Sequence, residues 1–337
     1  MAAPTHFGTS SLTPELGALP VRPSPPLNVA VSSCLTGAEV RFDGGHKRSS
    51  LCHEQLAGLF ELRGICPELA IGMGVPRDPI RLVGDVAAPR ARGVKDLTID
   101  VTQPLRDYAR TVLPSLADTC GYIFMKGSPT CGLFRVKVYG EPGVPPNGHG
   151  RGIFAAEIVA GRPELPVEES GRLEDPVLRE NFVTRVFAFA HWQKLVAEGL
   201  TAARLIAFHS AYKYLLMAHS IVHYKEAGRL LADLSGDVAA LADAYVQVLM
   251  RGLSRPATRG GHANVLQHLQ GYVKDQLDSA TRQELAELIH SYRRGEVPLL
   301  APLTLLRHHL RRAADSYALE QIYLEPHPGA AGLRREL

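Results

Sequence analysis

Hydrophobic positions in the first half of the chain come in short bursts broken by Gly, Pro and Ser; the second half replaces them with helical spacing. Asn28–Val31 predicts a buried strand, and the stretch from Ser50 to Leu62 predicts a helix whose apolar face is Leu51, Leu56, Leu59 and Phe60. Ile65 closes another strand at Cys66. Leu97–Val101 reads as a strand, Pro104–Leu116 as a helix, and Tyr122–Met125 as a strand ending at Lys126. Strands alternating with helices predict an α/β domain, an open, mainly parallel sheet with helices on both faces.

Gly161–Pro176 is rich in Pro, Gly and acids, and strand signals nearly vanish beyond it. Asn181–Glu198 has a helical period, as does Val265–Leu277 with Val265, Leu266, Leu269, Val273 and Leu277 on one face. Thr281 and Glu284 have capping-box spacing. The helix they open would bury Leu285, Leu288, Ile289 and Tyr292 and end near Gly295. A further helix is expected from Leu303 to Glu320. The expected organisation is a leader, 1–27, disordered because it is Pro-, Ser- and Thr-rich without period; an α/β domain, 28–165; a linker, 166–178; and an all-α domain, 179–330.

Composition narrows the class. A formal net charge of +3 does not by itself imply nucleic-acid binding, and five cysteines cannot all be paired in disulfides. No apolar run reaches the ~18 residues that span a bilayer. With no secretory signal, reduced thiols in a cytoplasmic protein are expected.

Cys34, Cys66 and Cys131 each sit where a strand-like run breaks into a loop. A thiolate at a strand's end points into the crevice where open α/β sheets bind ligands. Three converging thiolates could hold a metal centre and leave one coordination position open. Their separations, 32 and 65 residues, exclude a CxxC zinc ribbon or thioredoxin motif. Glu68 puts a carboxylate beside one thiol, although an acid near a helix N-terminus is also ordinary. Ser128-Pro129 can equally be a plain turn. Cys52 and Cys120 read as structural. His219 and His223 share a helix face but lack the glutamate of a zinc-protease motif. The basic stretch Arg307, His308, His309, Arg311 and Arg312, with Lys213 and Lys225, is either a solvated face or a phosphate contact.

Ser33-Cys34-Leu35 with Gly37 and Val40-Arg41-Phe42-Asp43-Gly44, then Cys66-Pro67-Glu68, then Lys126 with Ser128-Pro129-Thr130-Cys131-Gly132, resemble the TudS-like thiouracil desulfidases. His209–Ser220, Asn264–Leu269 and Pro298–Leu306 resemble the YbgA-type domain. A chain joining the two is similar to the RudS-type desulfidases, whose proposed substrate is 4-thiouridine in tRNA. The resemblance implies a [4Fe-4S] cluster held by Cys34, Cys66 and Cys131, with one iron open to the sulfur of a thiolated pyrimidine. It implies hydrolytic conversion of C=S to C=O, with Glu68 and Ser128 as catalytic residues and Ser33, Asp43, Lys126 and Lys213 as substrate contacts. Phe42 stands where Tyr is common in the family and Thr130 where Ser is common. The rivals are a desulfidase of free thiouracil or thionucleosides, and a non-enzymatic RNA-binding protein holding a cluster or a zinc ion, with His46 as a fourth ligand. Oligomeric state is not legible in the sequence.

Overall fold

The computed structural model describes residues 18–140, 146–335 and 337. Strands β1 (Leu27–Ser32), β2 (Phe60–Ile65), β5 (Gly121–Phe124) and β8 (Val167–Glu169) form one sheet in the order β2-β1-β5-β8. All three of its pairings are parallel. β1 and β5 are almost wholly buried, as strands covered on both faces must be. The short helix α1 (Pro67–Ala70) follows β2; α2 (Thr102–Val112) and α3 (Ile153–Gly161) come later in the same half.

A second sheet, of order β4-β3-β6-β7, was not legible in the sequence. It consists of β3 (Ile80–Val83), β4 (Arg90–Gly93), β6 (Val136–Tyr139) and β7 (Pro146–Gly150). It is mixed: β3/β4 and β6/β7 are antiparallel and β3/β6 parallel. Its strands are short, and β3 and β4 carry arginines that mask the alternation.

The second half is helical: α4 (Pro176–Ala197), α5 (Ala202–His219), α6 (Ile221–Leu230), α7 (Val238–Leu253), α8 (Arg259–Gln270), α9 (Ser279–Arg294), α10 (Leu300–Ala313), α11 (Ser316–Leu319) and α12 (Ala330–Leu333). Among the described residues no helix is long and apolar enough to cross a membrane. α4 joins the halves. Its Phe182, Val183, Val186 and Phe187 pack with Val29, Val31 and Ile123 of the parallel sheet. Its Ala188, Phe189, Trp192 and Leu195 belong to a core that runs from Phe124 and Phe154 into α5 and α7. A helix apolar on all sides belongs inside. A Cβ on Gly121 would come within 2.8 Å of Val186, so glycine lets α4 lie against β5.

Several expectations fail locally. Between Ser50 and Leu62 there is a single turn, Leu51–Gln55. Gly58, at φ +79°, then reverses the chain, and Phe60 pairs with Leu27 as the start of β2. Leu97–Val101 is a loop turned by Asp96, which accepts from the Thr98 N–H and hydroxyl; only Asp100 bridges to Arg92. α8 stops at Gln270, although Val273 remains buried. α9 starts earlier than the Thr281 box implies, because Asp278 is the cap and Thr281 donates to it. Ala314, at φ +52°, breaks the helix expected over Leu303–Glu320.

Of the leader, residues 1–17 lie outside the described residues. Residues after them are docked: the Arg22 guanidinium donates to the Glu325 and Pro326 carbonyls, and His191 contacts the Pro20 carbonyl. Within the expected linker, Val167–Glu169 is an edge strand of the parallel sheet.

One buried ion pair closes the C-terminal end onto α4. Arg334, 1% exposed, donates to Glu180 at 2.8 Å and to the Tyr323 carbonyl at 2.8 Å. Burial opposes the charge on Glu180, but Arg334 and His327 override it and hold the carboxyl well below the usual glutamate range. That stabilisation is complete above the ordinary glutamate range and is lost as pH falls toward the folded value. Arg334→Ala strands a buried carboxylate and should cost about 3–5 kcal/mol. Urea unfolding checks this; a loss under 1 kcal/mol (about the worth of an exposed pair) would mean the pair contributes little.

Candidate active site

Three adjacent strands deliver the three cysteines. Cys34 follows β1 in a 3-10 turn, Cys66 directly follows β2, and Cys131 lies in the loop after β5. The chain goes from β1 to β2 on one side and later returns to β5 on the other, so the site occupies a topological switch point. A cavity of about 360 Å³ opens there, lined by Cys34, Cys66, Cys131, Glu68, Ser128, Ser33 and Lys126 among others. Its volume is at the small end of ligand pockets.

Local structure fixes each side chain. Pro67 occupies the first position of α1, where its missing N–H costs nothing, and Glu68 lies in the first turn. Arg77 grips the Glu68 carboxylate through Nε at 3.0 Å and Nη2 at 2.6 Å, and also donates to the Gly74 and Val40 carbonyls. The Ser128 hydroxyl accepts from the N–H groups of Thr130 and Cys131 at 3.2 and 3.0 Å. Carbonyls of Pro129 and Thr130 accept from Ile153 and Ala155, orphan donors of the first turn of α3. A Cβ on Gly152 would sit 2.5 Å from the Thr130 oxygen, so only glycine admits this contact.

Burial pushes all three thiols up. Cys34 rises to about 11: burial and the nearby Cys66 and Glu68 charges outweigh Arg41. Cys66 is raised by burial and Glu68, with backbone N–H groups and Arg77 opposing. Cys131 is raised well above the ordinary thiol range, by burial and then Glu68, with Cys34 and Cys66 adding despite a hydrogen bond from Ser32. The thiols therefore sense one another across one cavity. A cation among them would reverse the preference and displace their protons.

The donor set fits a thiolate-bound metal group. Tyr122 is an orphaned polar group in the same half of the chain. Its hydroxyl is fully buried and, among the described residues, has no hydrogen-bond partner. Its ionisation is opposed by burial first and then by the charges of Cys131, Tyr108, Cys66 and Cys34, although Tyr122 is not among the residues lining the cavity. The fit rests on the donors themselves: three thiols line one cavity, and thiolates are the ligands that soft, iron–sulfur-type groups take. Among the described residues no three His, Cys, Asp or Glu side chains are gathered to hold a single ion.

Other candidates lie elsewhere. Asp43 is half exposed, turned to the Gly45 N–H and Arg41, and is not part of the cavity lining. His46 accepts from the Arg48 N–H and is likewise not among the lining residues. Lys213 lies in the helical half, its ammonium 5.0 and 5.1 Å from the Tyr214 and Tyr317 rings. His219 contacts the Arg255 carbonyl and His223 contacts Ser220. Arg307 pairs with Glu325. Cys52 is buried in the core, and the Cys120 thiol points to Gln193. Arg77 was missed. It follows Glu68 by nine residues in an irregular loop, and no periodicity marks it.

Residues 29–170 match the 2-thiouracil desulfurase family, and residues 213–328 match a family described as a protein of unknown function, DUF1722. The uncharacterized protein YbgA of Escherichia coli (strain K12) is 40% identical over 158 residues, 46% of this chain and 93% of that protein. The uncharacterized protein YbbK of Bacillus subtilis (strain 168) is 29% identical over 116 residues, 31% of this chain and 72% of that protein. A solved structure described as a [4Fe-4S]-dependent thiouracil desulfidase, TudS, aligns with 25% identity and a TM-score of 0.34, covering 44% of this chain and 94% of that one.

Proposed function

Because the chain belongs to the YbgA family and joins that helical segment to a 2-thiouracil-desulfurase-type domain, we propose that it is a desulfidase that converts the C=S of a thiolated pyrimidine to C=O, with water supplying oxygen and sulfide leaving. The observation that carries this reading is the single cavity shared by Cys34, Cys66, Cys131, Glu68 and Ser128. The three thiolates would hold a [4Fe-4S] cluster, which when bound supplies a thiophilic Lewis acid at its open iron.

The chain's own residues do the rest. Glu68, fixed by Arg77, is the proton carrier: it takes a proton from water or returns one to the ring nitrogen. The Ser128 hydroxyl, while accepting two backbone N–H bonds, still has its own proton to donate to the base. Lys126 and Ser33 complete the wall around the ring.

The substrate proposed is 4-thiouridine within tRNA, with the helical half binding RNA. Lys213 supports this: it sits among tyrosines, away from the cavity, and forms no ion pair among the described residues. Turnover of 2-thiouracil, 4-thiouridine and thiolated tRNA is to be compared in the parent chain and in Lys213→Ala. The tRNA reading predicts highest kcat/KM on tRNA and a KM increase for tRNA alone in the variant. Equal turnover of free base and tRNA, unmoved by the substitution, contradicts it.

A further inference from the structure

Glu169 is 2% exposed, and no Lys or Arg pairs with it among the described residues. Burying a carboxylate without a cation costs several kcal/mol, so its place needs a reason. One of its oxygens, Oε1, accepts from the Leu133 N–H at 2.8 Å and the Phe134 N–H at 2.9 Å. Those amides begin two residues after Cys131. Ser128 accepts from the Thr130 and Cys131 amides, and the Ser128 carbonyl accepts from Gly132 at 2.7 Å. Every N–H from Thr130 to Phe134 is therefore bound, the last two by Glu169.

The strand that carries Glu169 is held through its neighbour Glu168. The Glu169 N–H donates to the Glu168 carboxylate at 2.9 Å, which also accepts from Arg172 at 2.8 Å and lies 3.9 Å from Arg185 of α4. Arg185 donates to the Val167 carbonyl at 3.3 Å and to Asn181 at 3.1 Å; Asn181 in turn donates to the Leu253 carbonyl at the end of α7.

We propose that Glu169 is a positioning residue of the cysteine site: its carboxylate fixes the loop that aims Cys131 into the cavity, and Arg185 ties its strand to the helical half. The role of this loop as a metal-binding loop rests on the function proposed above. Charge-assisted bonds to two amides hold a loop more firmly than neutral ones, which explains why a charge is kept where a neutral side chain would fill the space.

The test is amide hydrogen exchange on the full chain, with iron retention against a chelator after anaerobic reconstitution. Glu169→Ala should accelerate exchange at Leu133 and Phe134 by about tenfold or more, leave β1 and α4 amides unchanged, and speed iron loss several-fold. Glu169→Gln, which keeps shape and an acceptor, should restore most of both. If the Ala variant does not fold, a smaller acceleration confined to the same two amides in the Gln variant supports the proposal. Unchanged exchange at those amides, or acceleration spread over the whole chain, overturns it. Arg185→Met should accelerate the same amides by about two- to threefold or more, because the pair with Glu168 is long at 3.9 Å but buried; no change there overturns the tie to the helical half. Hydrogen exchange needs neither iron nor substrate. Localised acceleration, where the parent chain turns over neither 2-thiouracil, 4-thiouridine nor thiolated tRNA, would therefore refute the desulfidase reading while leaving the placement of Glu169 intact.

Discussion

Cys66→Ala is expected to abolish both iron binding and desulfidation while leaving the metal-free chain folded. Cys66 follows strand β2 and begins the turn into α1; its thiol donates a long bond of 3.9 Å to the Val40 carbonyl and is stabilised as thiolate by the Leu69 and Glu68 N–H groups, weak contacts that an alanine forfeits cheaply. Losing the sulfur therefore removes little packing. The same change at Cys34 should behave alike. At Cys131, 7% exposed and inside the main core, a modest loss of stability is expected as well. Each substitution leaves two thiols on a site that needs three, so iron after reconstitution should fall to a small fraction of the parent value. Iron analysis beside urea unfolding separates the two effects. A Cys66→Ala chain that keeps its iron and its turnover would remove that thiol from the site.

The second large effect is expected at Glu68. Glu68→Gln preserves volume and can still accept from Arg77, but it cannot carry a proton. Removing a positioned acid–base group costs typically 10²–10⁴-fold in rate, so kcat should fall by about that factor with KM changed little and iron content intact. Because Arg77 spends its donors on Glu68, Gly74 and Val40, Arg77→Ala should also lower kcat, by freeing the carboxylate to rotate. Undiminished turnover in Glu68→Gln would assign the proton step to another group, with Ser128 the first candidate.

The strands that carry the cysteines were readable because buried parallel strands are short, continuous apolar runs ended by turn residues. Asn28–Val31 and Tyr122–Met125 have that form, and β1 and β5 lie within a residue of them at either end. The second sheet was not readable. Ile80–Val83 and Arg90–Gly93 are four residues each, and their arginines hide the apolar face. The stretch from Ser50 to Leu62 was misassigned because Leu51, Leu56, Leu59 and Phe60 satisfy a helical face as well as a turn followed by a strand; only the register of Phe60 with Leu27 decides it. The three cysteines were marked by standing where strand-like runs end, and Glu68 and Ser128 by lying near two of them and by the family resemblance; all five line one cavity. Arg77 and Glu169 act across nine and about 36 residues, separations that no local pattern reports. Glu169 was further obscured by standing in a Pro- and Gly-rich stretch that composition marks as a linker.

Three cysteines at the ends of three parallel strands, holding an iron–sulfur group that performs desulfidation as proposed, require iron and labile sulfide in the purified protein. The most direct measurement is iron, acid-labile sulfide and zinc per chain after anaerobic purification and reconstitution. The expected protein is brown, with about four irons and about four sulfides per chain. A colourless protein with stoichiometric zinc and no labile sulfide would contradict it.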